Sequence, residues 1–341
     1  MTVTLRPIRR TVGVLTAACC MLALSACAGS SDDDSASGTT GDTAAVQAEG
    51  TFPQTVPTKF GDVTIDEQPT TVVALGWGDA ETALSLGVQP VGASDWLDFG
   101  GDGVGPWMEG AYDTSPEIIS TLEPEYEEIA ALEPDLILDV RSSGNQDRYD
   151  KLSAIATTVG VPDGADSYLT PRAEQVQMIA TALGRPDAGE TITQGYDDMV
   201  AGIREEHPEW ADKTAATVAL SSTGWGAYIR GSERYDTLLD LGFQENTTLA
   251  DEEVGDTGFS VKLSDETLSK ADSDLVVAFA VGTTPEDVDS NSAWQRLSAT
   301  KDGHSFAMPR DISSAYSLGS PSAIEFAMKK LVPLLEEHTN S

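Results

Sequence analysis

The chain repeats itself, and that repeat constrains its architecture more than any other feature. Glu-Glu-Ile-Ala-Ala-Leu-Glu-Pro-Asp-Leu-Ile-Leu (127–138) is echoed by Glu-Thr-Leu-Ser-Lys-Ala-Asp-Ser-Asp-Leu-Val-Val (266–277). Each reads as a short helix, a turn and a buried strand. Downstream, Tyr149-Asp150-Lys151-Leu152-Ser153-Ala154 returns as Trp294-Gln295-Arg296-Leu297-Ser298-Ala299. The strand ahead of Gly76-Trp77-Gly78 likewise returns as residues 218–220 ahead of Gly224-Trp225-Gly226. Three echoes in the same order predict two similar α/β lobes, one on each side of the middle of the chain.

Local patterns agree. Thr71-Val72-Val73-Ala74-Leu75 is a buried-strand run closed by Gly76-Trp77-Gly78. Asp79 is placed to cap a helix over 80–86 that stops at Gly87, and residues 88–91 begin the next strand. Such alternation predicts mostly parallel sheets with crossover helices. Between the halves, Ala188, Ile192, Tyr196, Met199 and Ile203 recur at helical spacing until Pro208. One long helix joining the lobes is stiff, which argues against wide hinge motion. A ligand then belongs in the cleft between lobes, where loops after strand C-termini gather.

The N-terminus carries an address. Arg6, Arg9 and Arg10 precede an apolar stretch over 12–24 that ends at Leu24-Ser25-Ala26-Cys27. The stretch has the length of a secretory core and is shorter than the ~20 residues that span a bilayer. It resembles a bacterial lipoprotein signal, which implies cleavage before Cys27 and transfer of diacylglycerol to its thiol. Cys19 and Cys20 leave with the leader, so no disulfide, cysteine metal site or thiol nucleophile remains. Residues 28–50 carry no large apolar side chain and read as a disordered tether, extended by Asp32, Asp33 and Asp34. The formal net charge of −36 excludes nucleic acid as a partner, and it leaves the lipid as the sole attachment to the membrane.

From these residues onward the chain resembles the iron-siderophore and cobalamin substrate-binding lipoproteins of ABC importers. The resemblance rests on 127–138, close to a Glu-x-Ile-x-Ala-Leu-x-Pro-Asp-Leu-Ile signature. Further support comes from Leu86-Gly87-Val88-Gln89-Pro90-Val91-Gly92, Ala182-Leu183-Gly184-Arg185, and Ser320-Pro321-Ser322-Ala323-Ile324 leading to Leu331-Val332-Pro333. It implies an α/β fold of two similar lobes with central, mostly parallel sheets joined by one long helix, the class III substrate-binding architecture. The expected organisation is a leader over 1–26, lipidated Cys27 and tether over 27–52, an N-terminal lobe over 53–186, a linking helix over 187–208 and a C-terminal lobe over 209–341. The resemblance also implies a monomer, lipid-anchored on the outer face of the cell membrane, that serves a permease dimer and its ATPase. By position, Glu127 and Glu233 match the carboxylates with which such lobes dock on permease arginines.

The ligand is then expected to be a ferric siderophore, with no cofactor and no directly bound metal. Ferric siderophores carrying catecholate, carboxylate or hydroxamate groups are large, often anionic chelates, which call for arginine donors and aromatic walls. Arg141, Arg230 and Arg310 each follow a strand-like segment, and Trp77, Trp225, Tyr228 and Tyr316 occupy similar rims. Surface ion pairs for the arginines and core packing for the tryptophans are the competing readings. Haem is the alternative ligand, with Tyr112, Tyr316 or His304 as axial candidates; cobalamin is the third, and a haem-relay receptor of the same fold also fits. A bare zinc or manganese site lacks imidazoles, since the histidines are His207, His304 and His338 alone. Ser221-Ser222 and Ser313-Ser314 sit in no nucleophile elbow, so the chain reads as a binding protein and not an enzyme.

Overall fold

The computed structural model describes residues 50–165, 167–255 and 260–340. The leader, Cys27 and most of the tether lie outside these residues. A hairpin of β1 (Gln54–Thr58) and β2 (Gly61–Ile65) opens the described chain. There follow β3 (Val72–Ala74), α1 (Asp79–Ser85), β4 (Gly92–Ser94), β5 (Glu117–Ile119), α2 (Tyr126–Ala131), β6 (Leu136–Leu138), α3 (Gln146–Ser153), β7 (Thr157–Val159) and α4 (Arg172–Ala182). The five strands β3 to β7 form one sheet in the order β5-β4-β3-β6-β7, parallel throughout. Alternate residues feed its two faces: Val72, Ala74, Leu136 and Leu138 on one, Val73, Leu75 and Ile137 on the other.

Helix α5 (Pro186–Glu206) then carries the chain to the second lobe. That lobe holds β8 (Thr214–Ser221), β9 (Gly224–Tyr228), α6 (Glu233–Asp240), β10 (Gln244–Glu245), α7 (Thr247–Ala250), β11 (Ser260–Leu263) and β12 (Leu275–Val281). It closes with α8 (Pro285–Ser290), α9 (Ser298–Asp302), β13 (Ser305–Ala307), α10 (Arg310–Leu318) and α11 (Pro321–Thr339). Its sheet has the order β11-β9-β8-β12-β13, with β10 also paired to β8. β9 is antiparallel to both neighbours, so this sheet is mixed.

The repeated Pro/Ser-Asp-Leu motif has a structural cause. Asp135 accepts hydrogen bonds from the Thr70 amide, the Thr70 hydroxyl and the Thr71 amide, which ties the start of β6 to the start of β3. Asp274 does the same in the second lobe, accepting from the Thr214 amide and hydroxyl at 2.7 and 2.8 Å. Partial burial opposes ionisation of Asp274, yet these bonds hold its carboxyl below the usual range.

Three local expectations need correction. Asp79 does not cap α1; Gly78, with φ 76°, takes the cap position, and the Asp79 side chain turns inward. The turn falls at 86–87 and residues 88–91 belong to no strand, so β4 starts at Gly92. The third echo is one of sequence only: Gly224-Trp225-Gly226 lies within β9, whose register pairs Ser221 with Gly224 across a tight hairpin, whereas Gly76-Trp77-Gly78 is a loop.

Candidate functional site

Four loops of the first lobe follow the C-terminal ends of parallel strands, and they bring Trp77, Trp96, Arg141 and Tyr168 together. The Trp77 ring is sandwiched between two others. Its centroid lies 3.9 Å from that of Trp96, at 6°, and 4.1 Å from that of Tyr168, at 19°. The Trp77 amide donates to the Arg141 carbonyl, and the Arg141 Nε donates to the Tyr168 carbonyl. Ser167 and Tyr168 both adopt positive φ, 55° and 65°, a left-handed conformation that costs a non-glycine residue about 1–2 kcal/mol. Local strain is thus held exactly where the third ring is needed, by the Tyr168 amide donating to the Ser142 carbonyl at 2.9 Å.

The two lobes meet along an ionic clasp. Arg141 Nη2 lies 3.1 Å from a Glu233 carboxylate oxygen, and Arg172 Nε lies 3.5 Å from the other oxygen. The Arg172 amide also donates to Glu233, and Arg141 Nη1 donates to the Leu318 carbonyl at 2.9 Å. A second seam joins α1 to α11. Glu81 accepts from Trp107 Nε1, the Gly105 amide and the Ser320 hydroxyl, and burial raises its pKa against those bonds. Trp107 meets Phe326 across this seam at 5.3 Å, and Trp96, Leu97 and Phe99 pack on the apolar cluster of the second lobe.

Asp79 underlies both the stack and the clasp. It is fully buried and accepts from the Val140 amide and from Gln175 Nε2, which also donates to the Trp77 carbonyl. Burial pushes its pKa up to about 7, opposed by the bonds from Gln175 and Val140. Beside α5 the lobes leave a cavity of about 1260 Å³, lined by Arg141, Arg172, Tyr196, Arg230, Glu233 and Met328 among others. Arg141, Arg172 and Glu233 of the clasp line it, whereas Trp77, Trp96 and Tyr168 do not.

Several expected ligand residues sit elsewhere. Trp225 is 2% exposed and packs on Trp294 in the core, where its place in an antiparallel strand puts it. Tyr316 is 2% exposed and stacks on Phe279 inside the second lobe. Tyr228 is 5% exposed, and its hydroxyl accepts from Arg234. Arg141 is nearly buried, its Nη1 and Nη2 engaged by the other lobe and its Nε by the Tyr168 carbonyl. Arg230 is exposed and pairs with Glu245 at 3.3 Å; Arg310 is exposed at the start of α10 with no ion pair among the described residues. Glu233, expected as an exposed docking carboxylate, faces the clasp with 16% of its side chain exposed, whereas Glu127 is exposed on α2. The haem candidates fare no better: Tyr112 is buried, Tyr316 is core, and His304 sits beside Asp274 ahead of β13.

Trp96, Tyr168 and Arg234 were not legible as site residues. Nothing in their flanking sequence marks them, and their partners lie far along the chain. Among the described residues, no helix is long and apolar enough to cross a membrane, and no group of three or more His, Cys, Asp or Glu side chains is placed to hold a metal ion.

A family profile described as "Periplasmic binding protein" matches residues 72–312, which take in both central sheets and the helix between the lobes. The chain belongs to the periplasmic binding protein family. A Bacillus subtilis (strain 168) relative named "Probable siderophore-binding lipoprotein YfiY" is 26% identical over 261 residues, 70% of this chain and 75% of that one. Among solved structures, a periplasmic solute binding protein from Mycobacterium smegmatis is 26% identical with a TM-score of 0.72, covering 84% of this chain and 98% of that one. PiaA from Streptococcus pneumoniae in complex with ferrichrome has a TM-score of 0.68 over the same shares, at 23% identity, a likeness of fold. The family is one of binding proteins.

Proposed function

We propose that this protein captures a ferric siderophore between its lobes and delivers it to an ABC permease driven by a cytoplasmic ATPase. The observation that carries the reading is the Trp96–Trp77–Tyr168 stack, gathered from three strand-end loops, with Trp96 packed on the second lobe's apolar cluster that holds Tyr228 and Phe279. Aromatic faces and guanidinium donors are the groups that suit a large chelate with ring-bearing or anionic arms. The YfiY relative's name supports the same ligand class. Placing the ligand here assigns Trp77, Trp96 and Tyr168 as walls, with the clasp closing the site on the α5 side. Cys27 holds the protein to the membrane through its lipid, and Glu127 presents a free carboxylate to permease arginines.

The haem candidates Tyr112 and Tyr316 are buried, which disfavours that alternative. Titration by tryptophan fluorescence with ferric catecholate, ferric citrate, ferric hydroxamate, haem and cobalamin tests the reading. Saturable quenching by at least one ferric chelate is expected. Tight quenching by haem or cobalamin alone would overturn it.

A further inference from the structure

Arg234 follows Glu233 on the first turn of α6, yet it keeps different company. Its Nε donates to Ser317 Oγ at 3.0 Å and its Nη1 donates to the Tyr228 hydroxyl. Its guanidinium carbon lies 5.1 Å from the Tyr228 ring centre and 5.2 Å from that of Phe279. All of these partners are neutral, and no carboxylate reaches the group among the described residues. Arg141, Arg148, Arg172 and Arg230 all have a carboxylate partner. In a chain with 56 acids against 20 bases, a half-buried guanidinium left without one calls for an explanation.

Two further facts place it. Ser317 precedes Leu318, whose carbonyl takes the Arg141 bond from the other lobe, so Arg234 stands at the seam. Tyr228 and Phe279, the rings beneath its guanidinium, belong to the apolar cluster on which Trp96 of the aromatic stack packs. A guanidinium offers five N–H donors, and only two are used here. Its orientation is fixed in advance by Tyr228 and Ser317, and the amino end of α6 adds positive potential.

We infer that Arg234 is the anion receptor of the ligand site. It takes a catecholate or carboxylate oxygen of the ferric chelate, so that the protein selects anionic chelates over neutral trihydroxamates. The inference rests on the siderophore reading above and adds the charge class of the ligand. An anionic arm gains a charge-assisted, two-pronged bond; a neutral chelate desolvates the same cation and returns no charge. Discrimination thus comes from what the wrong ligand leaves unpaired as much as from what the right one gains.

Calorimetric titration of the wild type, Arg234→Gln, Arg234→Lys and Tyr228→Phe tests this. The probes are ferric enterobactin (a trianionic tris-catecholate), ferric dicitrate and ferrichrome (a neutral trihydroxamate). The wild type is expected to bind at least one anionic probe more than tenfold tighter than ferrichrome. Arg234→Gln should weaken that binding by ~10- to 100-fold and leave any ferrichrome affinity within about twofold. Arg234→Lys should retain part of the preference, and Tyr228→Phe should weaken the anionic probe through lost orientation of the cation. Thermal unfolding midpoints near the wild-type value establish that the variants fold. Tightest binding of ferrichrome by the wild type, or equal weakening of all probes in Arg234→Gln, overturns the inference alone. Binding of none of the three overturns the siderophore reading with it.

Discussion

Arg141, in the loop after β6, and Glu233, at the start of α6, form an ion pair of 3.1 Å that fastens one lobe to the other with little of either side chain in water. Arg172 shares the same carboxylate, so one acid neutralises two cations. Removing that acid leaves two guanidinium groups facing each other. Glu233→Ala is expected to lose about 3–5 kcal/mol of stability in urea unfolding, the range for breaking a buried pair from one side. Glu233→Gln keeps an acceptor for the Arg172 amide and should lose less. A loss below about 1 kcal/mol in Glu233→Ala would show that water reaches the clasp freely.

Asp79 makes stability depend on pH in an unusual direction for a carboxyl. Its pKa rises from 3.8 to about 7 on folding, because burial penalises the charge. Between those values the folded protein holds a proton that the unfolded chain has released. This group therefore favours the fold at low pH, and its contribution is lost as pH rises toward 7. Asp79→Asn, which never ionises, should gain on the wild type as pH goes from about 5 to 8, read as the difference in unfolding midpoints. A pH-independent difference would contradict the buried, protonated carboxyl.

The tryptophans divide into reporters and bystanders. Trp77 and Trp96 are partly exposed at the seam, whereas Trp210, Trp225 and Trp294 are each at most 2% exposed. Trp77→Phe should remove most of the ligand-induced fluorescence change, and Trp225→Phe should lower total emission without altering the absolute ligand-induced change. The reverse pattern would move the ligand away from the stack.

Glu127 and Glu233 are no longer equivalent candidates for docking. With Glu233 engaged in the clasp, the exposed Glu127 on α2 is the free carboxylate of the two. Charge reversal by Glu127→Lys should cut chelate-stimulated ATPase activity of the reconstituted transporter at least about tenfold while leaving chelate affinity unchanged. Full stimulation by the variant would remove Glu127 from the interface.

The architecture was legible because it is built twice. Asp135 and Asp274 stand in the same motif and do the same work at the start of β3 and β8, so the sequence echo and the structural echo coincide. Helix α5 was legible from the spacing of Ile192, Tyr196, Met199 and Ile203. The site was read less well, for two physical reasons. A Gly-Trp-Gly triplet suits both a loop and a hairpin strand, and only strand direction, a long-range property, separates Trp77 from Trp225. Arg141 was found as a strand-end arginine, but its partners lie at Glu233 and Leu318, which no local pattern reveals. Arg234 has the opposite character: its significance is the missing carboxylate, visible only when the neighbours are in place.

Hydrogen–deuterium exchange with the ferric chelate that binds tightest tests the central claim most directly. Capture between the lobes predicts slowed exchange on both sides of the seam, in residues 76–78, 95–99, 141–145 and 167–170 of the first lobe and in 228–234 and 316–319 of the second. Protection confined to one lobe, or to α5 and the cavity beside it, would contradict that account.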